Sequence, residues 1–324
     1  MEQHAITIGF SLGGVRIDLA SPDKSIQESY AALLRHAPPA AASPESEIII
    51  HLRFADRLPA RPAEEALFGT SPDNADAHAP PNLLEVYRGE DELKLFFPDV
   101  AAVSITDQQI SGVVTPAVWQ AGRFSDVIYT SLAPVLRRNG IYLVHAAAVG
   151  QQGHGILLVG PSGSGKTTTS LALAARGWRY LANDVAAVQE TSDGIAALPT
   201  PDLIGVTRET LQLLSGPDPG ASSGGGHGRK RPLPSHVFVS HSNEAVLIRQ
   251  IVFPKVSNVA AADLSPLPPS LALAWLIESS LDRWDQECAS GHIEALSRLC
   301  QQARPDELHL SRDLNSIAAL FQTG

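Results

Sequence analysis

Apolar and polar positions alternate over short stretches in the first part of the chain. Ile6-Thr-Ile-Gly-Phe10, Val15-Arg-Ile-Asp-Leu19 and Glu47-Ile-Ile-Ile-His-Leu52 carry the two-residue period of half-buried strands. Two further strands are predicted within 83–97, on either side of Arg88-Gly89. Residues 37–44 and 59–81, rich in Pro and Ala, read as loops or linkers. From Ser125 the period lengthens. Val127, Ile128, Leu132, Val135 and Leu136 share one face of a predicted helix over 126–138, which stops at Asn139-Gly140. Residues 141–149 read as one strand, followed by a turn at 151–155 and a short apolar run, Ile156-Leu-Leu-Val159, that suits a buried strand. Further strands are expected at 180–188, interrupted by polar residues, and at 195–198, 246–253 and 307–310. Helices are expected at 207–214, 269–280, 285–302 and 313–321. This mixture predicts an α/β fold, with a smaller β-rich domain over 1–124 and a second domain over 125–324.

Between the apolar run and the next helix stands Gly160-Pro-Ser-Gly-Ser-Gly-Lys-Thr167, a complete G-x-x-x-x-G-K-[ST] phosphate-binding loop. Its parts have separate tasks. Gly160, Gly163 and Gly165, with Pro161, Ser162 and Ser164 between them, let successive backbone N–H groups face one anion-sized hollow. Lys166 brings a charge to the outer phosphates, Thr167 offers a hydroxyl to Mg2+, and Thr168 continues into the helix, whose N-terminus favours anions. Every position and both flanks agree, so nucleotide binding is the strongest inference from the chain. Asp184 follows Lys166 closely, on the element after that helix. Phosphoryl transfer needs a carboxylate near the β- and γ-phosphates to hold Mg2+ or to take the acceptor's proton. Asn183-Asp184 also suits an ordinary turn, and the loop tips the balance towards function.

Composition narrows the field further. The formal net charge of −10 and a pI near 5.5 argue against a general nucleic-acid or anionic-membrane binder. No apolar run is long enough for a membrane helix, and the first residues lack a signal peptide's pattern, so a cytoplasmic protein is expected. Two cysteines, Cys288 and Cys300, make no disulfide framework. Cys288 and His292 have no matching pair for a zinc site.

The segments Ile141-Tyr-Leu-Val-His-Ala-Ala-Ala-Val149, 155–168 and Gly177-Trp-Arg-Tyr-Leu-Ala-Asn-Asp184 together resemble the catalytic domain of HPr serine kinase/phosphorylase, and still more the broader group of HPr-kinase-related kinases. The resemblance runs over roughly 125–324. It implies a P-loop kinase core akin to the nucleotide domain of phosphoenolpyruvate carboxykinase, the cofactors ATP and Mg2+, and transfer to a serine of a protein or peptide acceptor. It also implies a possible homo-oligomer. His145 matches the family's strand histidine, which lies near the catalytic acids. Asp184 matches the second acid of the family's pair, and Asn183 stands where the first usually is. An amide cannot act as a base. Either Asp184 works alone, or the activity is weakened and the chain is a nucleotide-binding regulator; a small-molecule kinase is a further alternative. Finally, Arg229-Lys-Arg231 ends a Gly-rich stretch and reads either as a solvated charge cluster or as a group that closes over a triphosphate, the second being favoured with Arg229 and Lys230 as the candidates.

Overall fold

The computed structural model describes residues 6–40, 44–69, 84–215, 231–232, 239–280, 282 and 284–321. They divide into two compact units, 1–139 with 282–289, and 140–281 with 290–324. The division falls later than the 124/125 boundary expected from the sequence.

The first unit is built on one eight-stranded sheet. Its strands are β1 (Ile6–Leu12), β2 (Val15–Ser21), β3 (Ser46–Phe54), β4 (Phe68–Gly69), β5 (Glu85–Arg88), β6 (Leu93–Phe97), β7 (Ala101–Thr106) and β8 (Gln109–Val114). They lie in the order β1-β2-β3-β8-β7-β6-β5-β4. β2 and β3 are parallel and joined across α1 (Lys24–Leu33), whereas β4 to β8 form an antiparallel meander. The alternation has the expected result: Ile17 and Leu19 of β2 and Ile48, Ile50 and Leu52 of β3 are buried. The short α2 (Ala117–Gln120) and the amphipathic α3 (Phe124–Arg138) follow. Residues 282–289 return to this unit. Arg137, with its side chain 1% exposed, donates through Nε to Asp285 Oδ2 at 2.8 Å and through Nη1 to Asp282 Oδ2 at 2.6 Å. Its guanidinium also lies over the Trp284 ring. The helix expected over 285–302 therefore begins as a 3-10 turn, Gln286–Cys288.

The second unit contains β9 (Ile141–Val144), β10 (Ala146–Gln151), β11 (His154–Val159), α4 (Lys166–Ala174), β12 (Arg179–Ala182), β13 (Ala186–Thr191), β14 (Gly194–Leu198), β15 (Gly205–Val206), α5 (Arg208–Ser215), β16 (Arg231–Pro232), β17 (Val246–Val259), β18 (Asp263–Pro266), α6 (Pro269–Glu278), α7 (Ala289–Gln302), β19 (Arg304–Ser311) and α8 (Leu314–Ala319). Its large sheet runs β12-β10-β11-β17-β14-β13-β9, with β19 beside β17 and β18 beside β19; β15 and β16 pair separately. The parallel core is β11, β17 and β19. Both faces are covered, which explains the uninterrupted apolar run over 156–159 of β11. Leu157 and Val159 meet a cluster with Leu276 of α6 and Leu296 and Leu299 of α7. Ile156 and Leu158 face a second cluster with Leu171 and Leu173 of α4 and Ile317 of α8.

One expectation is corrected. Residues 141–149 are not one strand: the chain bends at His145, between β9 and β10. The neighbouring strands do the same. β12 pairs with β10 and β13 pairs with β9, so Asn183, Asp184 and Val185 form the matching break. Two adjacent segments thus change ladder partners at one level, with polar residues in both gaps.

Candidate active site

The break and the 160–167 segment belong to one corner of the second unit. β11 ends at Val159, and the chain turns through Gly160, Gly163 and Gly165 before entering α4 at Lys166. Gly165, the residue before the helix, has φ +107°, which an L side chain rarely adopts. A Cβ there would also collide with Leu310 Cδ1. Ser164 Nα–H donates to Pro161 O at 3.2 Å, while its buried hydroxyl has no partner among the described residues.

Lys166 is 4% exposed, so its ammonium needs internal acceptors. Nζ donates to Gly160 O at 2.5 Å and to Pro161 O at 3.1 Å, folding the side chain back over its own loop. His145 Nε2 lies 3.2 Å from the same Nζ. An ammonium only donates, so Nε2 accepts and the ring proton sits on Nδ1. The backbone N–H of His145 donates to Ser279 O at 3.0 Å, which anchors the bend.

Asp184 sits where β12 leaves the ladder. Its backbone N–H donates to Asp202 Oδ2 at 3.1 Å, and the Asp202 Oδ1 accepts from Leu203 N at 2.7 Å. Asn183 is 1% exposed. Its Nδ2 donates to Asp184 Oδ2 at 3.3 Å and to Leu203 O at 3.4 Å. Both neighbours are acceptors, which fixes the amide orientation. The buried Oδ1 is left without a hydrogen bond among the described residues. Beneath the break, the Tyr180 hydroxyl pairs with Ser170 Oγ of α4 at 2.6 Å, and burial pushes it above the ordinary phenol range.

A cavity of ≈580 Å3 connects these parts. Ser162, Gly163, Gly165, Lys166, Thr167, Thr168 and Asp184 all line it. The sequence-predicted residues are therefore brought together, with Gly160 and Pro161 holding Lys166 and His145 touching its ammonium. Arg229 and Lys230 lie outside the described residues. Sequence reasoning missed four groups. Asp202 supports the Asp184 backbone, and Glu209, Thr210 and Arg312 line the cavity. Thr210 Oγ1 lies 2.9 Å from Thr168 Oγ1, tying α5 to α4. No local pattern marks these residues, because each arrives from a distant element.

The cavity's oxygen donors suit a hard divalent ion. Among the described residues no three His, Cys, Asp or Glu side chains cluster as a metal site. Thr167 and Asp184 both line the cavity, and a hydroxyl and a carboxylate are oxygen donors of the kind Mg2+ takes.

No family model matches the chain. Over 84 residues it is 32% identical to the HPr kinase/phosphorylase of Geobacillus sp. (strain WCH70). That stretch supports an HPr-kinase-like relationship. That match takes in 26% of this chain, and the chain spans about a quarter (25%) of the length of this curated relative. Among solved structures, the HPr(Ser) kinase/phosphatase of Coxiella burnetii aligns with 40% of this chain and 71% of its own, at 17% identity and a TM-score of 0.23. That superposition is too loose to carry detail. The chain is a mixed α/β protein with two large sheets, and no helix among its described residues is long and apolar enough to cross a membrane.

Proposed function

We propose that this chain is an ATP-dependent kinase with a P-loop core akin to the phosphoenolpyruvate carboxykinase nucleotide domain, transferring a phosphoryl group to a hydroxyl, serine on a protein or peptide. The observation that carries this reading is the shared cavity of the 160–167 loop and Asp184. In it, the loop N–H groups and the α4 N-terminus bind the β- and γ-phosphates of ATP. Lys166 exchanges its bonds with Gly160 O and Pro161 O for phosphate oxygens, and His145 holds the ammonium in place until then. Mg2+, held by Thr167 and Asp184, supplies charge neutralisation on the phosphates. The acceptor oxygen attacks the γ-phosphorus and the bond to the β–γ bridging oxygen breaks. ADP leaves, and the hydroxyl proton passes to Asp184. Arg312, on the cavity wall, steadies the transferring group, as does Arg229. The rate gain comes from position and charge.

Asn183 favours a second reading, a nucleotide-binding regulator without transfer. One experiment separates the two. The protein is incubated with γ-labelled ATP, Mg2+ and lysate from its own source, beside a Lys166→Ala control. Label entering a polypeptide only with the wild type supports the kinase and identifies the acceptor by mass. ATP binding without label supports the regulator. A kinase whose transfer survived Asp184→Ala would refute the assigned base.

A further inference from the structure

A second hollow, of ≈330 Å3, opens at the start of β11, beside His154 and Ile156. Six residues of extended strand separate His154 from Gly160, roughly 20 Å, so this is not the cavity of the phosphate loop. Its walls are of two kinds. Trp178 and Phe321 are apolar, and His154 meets the Trp178 ring edge-on at 5.9 Å. Arg249, from β17, and Arg304, from the start of β19, are cationic.

The charges do not cancel. Arg304 Nε is bound to Asp306 Oδ2 at 2.7 Å, and that oxygen also accepts from Gln250 Nε2 at 2.6 Å. Asp306 is buried, whereas the Arg304 side chain is 65% exposed. Arg249 makes no ion pair or hydrogen bond among the described residues. Of the two guanidinium groups only that of Arg304 is paired with a carboxylate, in a chain whose net charge is −10. Their field reaches His154, whose protonation is held below the ordinary range by burial and then by Arg249 and Arg304. A planar guanidinium recognises carboxylate or phosphate oxygens through paired N–H groups.

We propose that this hollow binds a small organic anion, its carboxylate or phosphate group between Arg249 and Arg304 and its apolar part against Trp178 and Phe321. The inference does not depend on the kinase reading. The test is a proton NMR titration of the His154 ring, identified with His154→Gln, against phenyl phosphate and separately against benzoate. A bound anion offsets the two arginines, so the His154 pKa should rise and saturate with ligand. Arg249→Gln, an exposed strand position, should weaken that binding about tenfold or more while the other histidine signals stay unchanged. A response to one probe alone identifies that anion class. If neither probe moves the His154 titration, or if Arg249→Gln binds as tightly as the wild type, the proposal is overturned. ATP bound at the loop during the same titration leaves the His154 response in place, because the two cavities are separate.

Discussion

Asn183→Asp restores the acid that the HPr-kinase pattern expects, and the structure predicts a cost when no metal is present. The side chain is buried, and its Nδ2 now donates to Asp184 Oδ2 at 3.3 Å and to Leu203 O at 3.4 Å. The substitution removes both donors and sets a second carboxylate against the first. Two like charges about 4 Å apart repel by about 4 kcal/mol at an effective dielectric near 20. The new carboxyl avoids this by holding its proton, which corresponds to a pKa raised by about 3 units. Its folded value then lies above its unfolded one. The charge-dependent part of the deficit is absent at acid pH, where both states are protonated, grows as pH rises through about 4, and is complete above the folded value near 7. At neutral pH without Mg2+ the variant should lose about 4 kcal/mol, or roughly 10 °C in melting temperature. Mg2+ should recover much of that loss, because the charge of a divalent ion near Asp184 would offset the repulsion between the two carboxylates. Thermal melts at acid and neutral pH, each with Mg2+ and with chelator, read all four values. Equal melting of variant and wild type at neutral pH in chelator would refute the buried, donor-dependent role assigned to Asn183.

Three further outcomes are expected. Gly165→Ala forces a positive φ on a residue with a Cβ and drives it into Leu310, so urea unfolding should show a loss of about 3 kcal/mol, with ATP binding weakened in parallel. Arg137→Ala leaves the fully buried Asp285 carboxylate with only the longer 3.4 Å contacts of Arg138 and should cost about 3 kcal/mol in thermal denaturation; Arg137→Lys should recover only part, since one ammonium cannot serve Asp282 and Asp285 as the fork does. Burial pushes the Cys300 thiol up to about 11, leaving about a thousandth as thiolate at pH 8. Its reaction with a thiol reagent should therefore follow unfolding, and prompt labelling of Cys300 in the native protein would contradict its burial on the inner side of α7.

The parts legible in the sequence are those written locally. Alternation over Val15–Ser21 and Ser46–Phe54 announced strands, and the glycines, Lys166 and Thr167 announced the loop with its flanking strand and helix. The bend at His145 was not legible. Val144-His145-Ala146 holds no Gly or Pro, and the break arises because β9 and β10 pair with different partners. Asp202 and Arg312 carried no local signal either, since distant segments deliver them to the corner. The start of the helix expected over 285–302 was misjudged for a related reason. Asp285 is held by Arg137, far back in the chain, and that bond draws 282–289 out of the second unit.

That excursion has a consequence for the order in which the protein is made. Synthesis proceeds from the N-terminus, and domains tend to fold as their chains emerge. The first unit is almost complete when Asn139 leaves the ribosome, yet Arg137 must wait for its carboxylates until 282–289 appear. By then all of 140–281, including the phosphate loop, has already been released. The first unit is therefore sealed only after most of the second unit's chain has been made, and a ribosome stalled just before residue 282 would carry an Arg137 with no counter-charge.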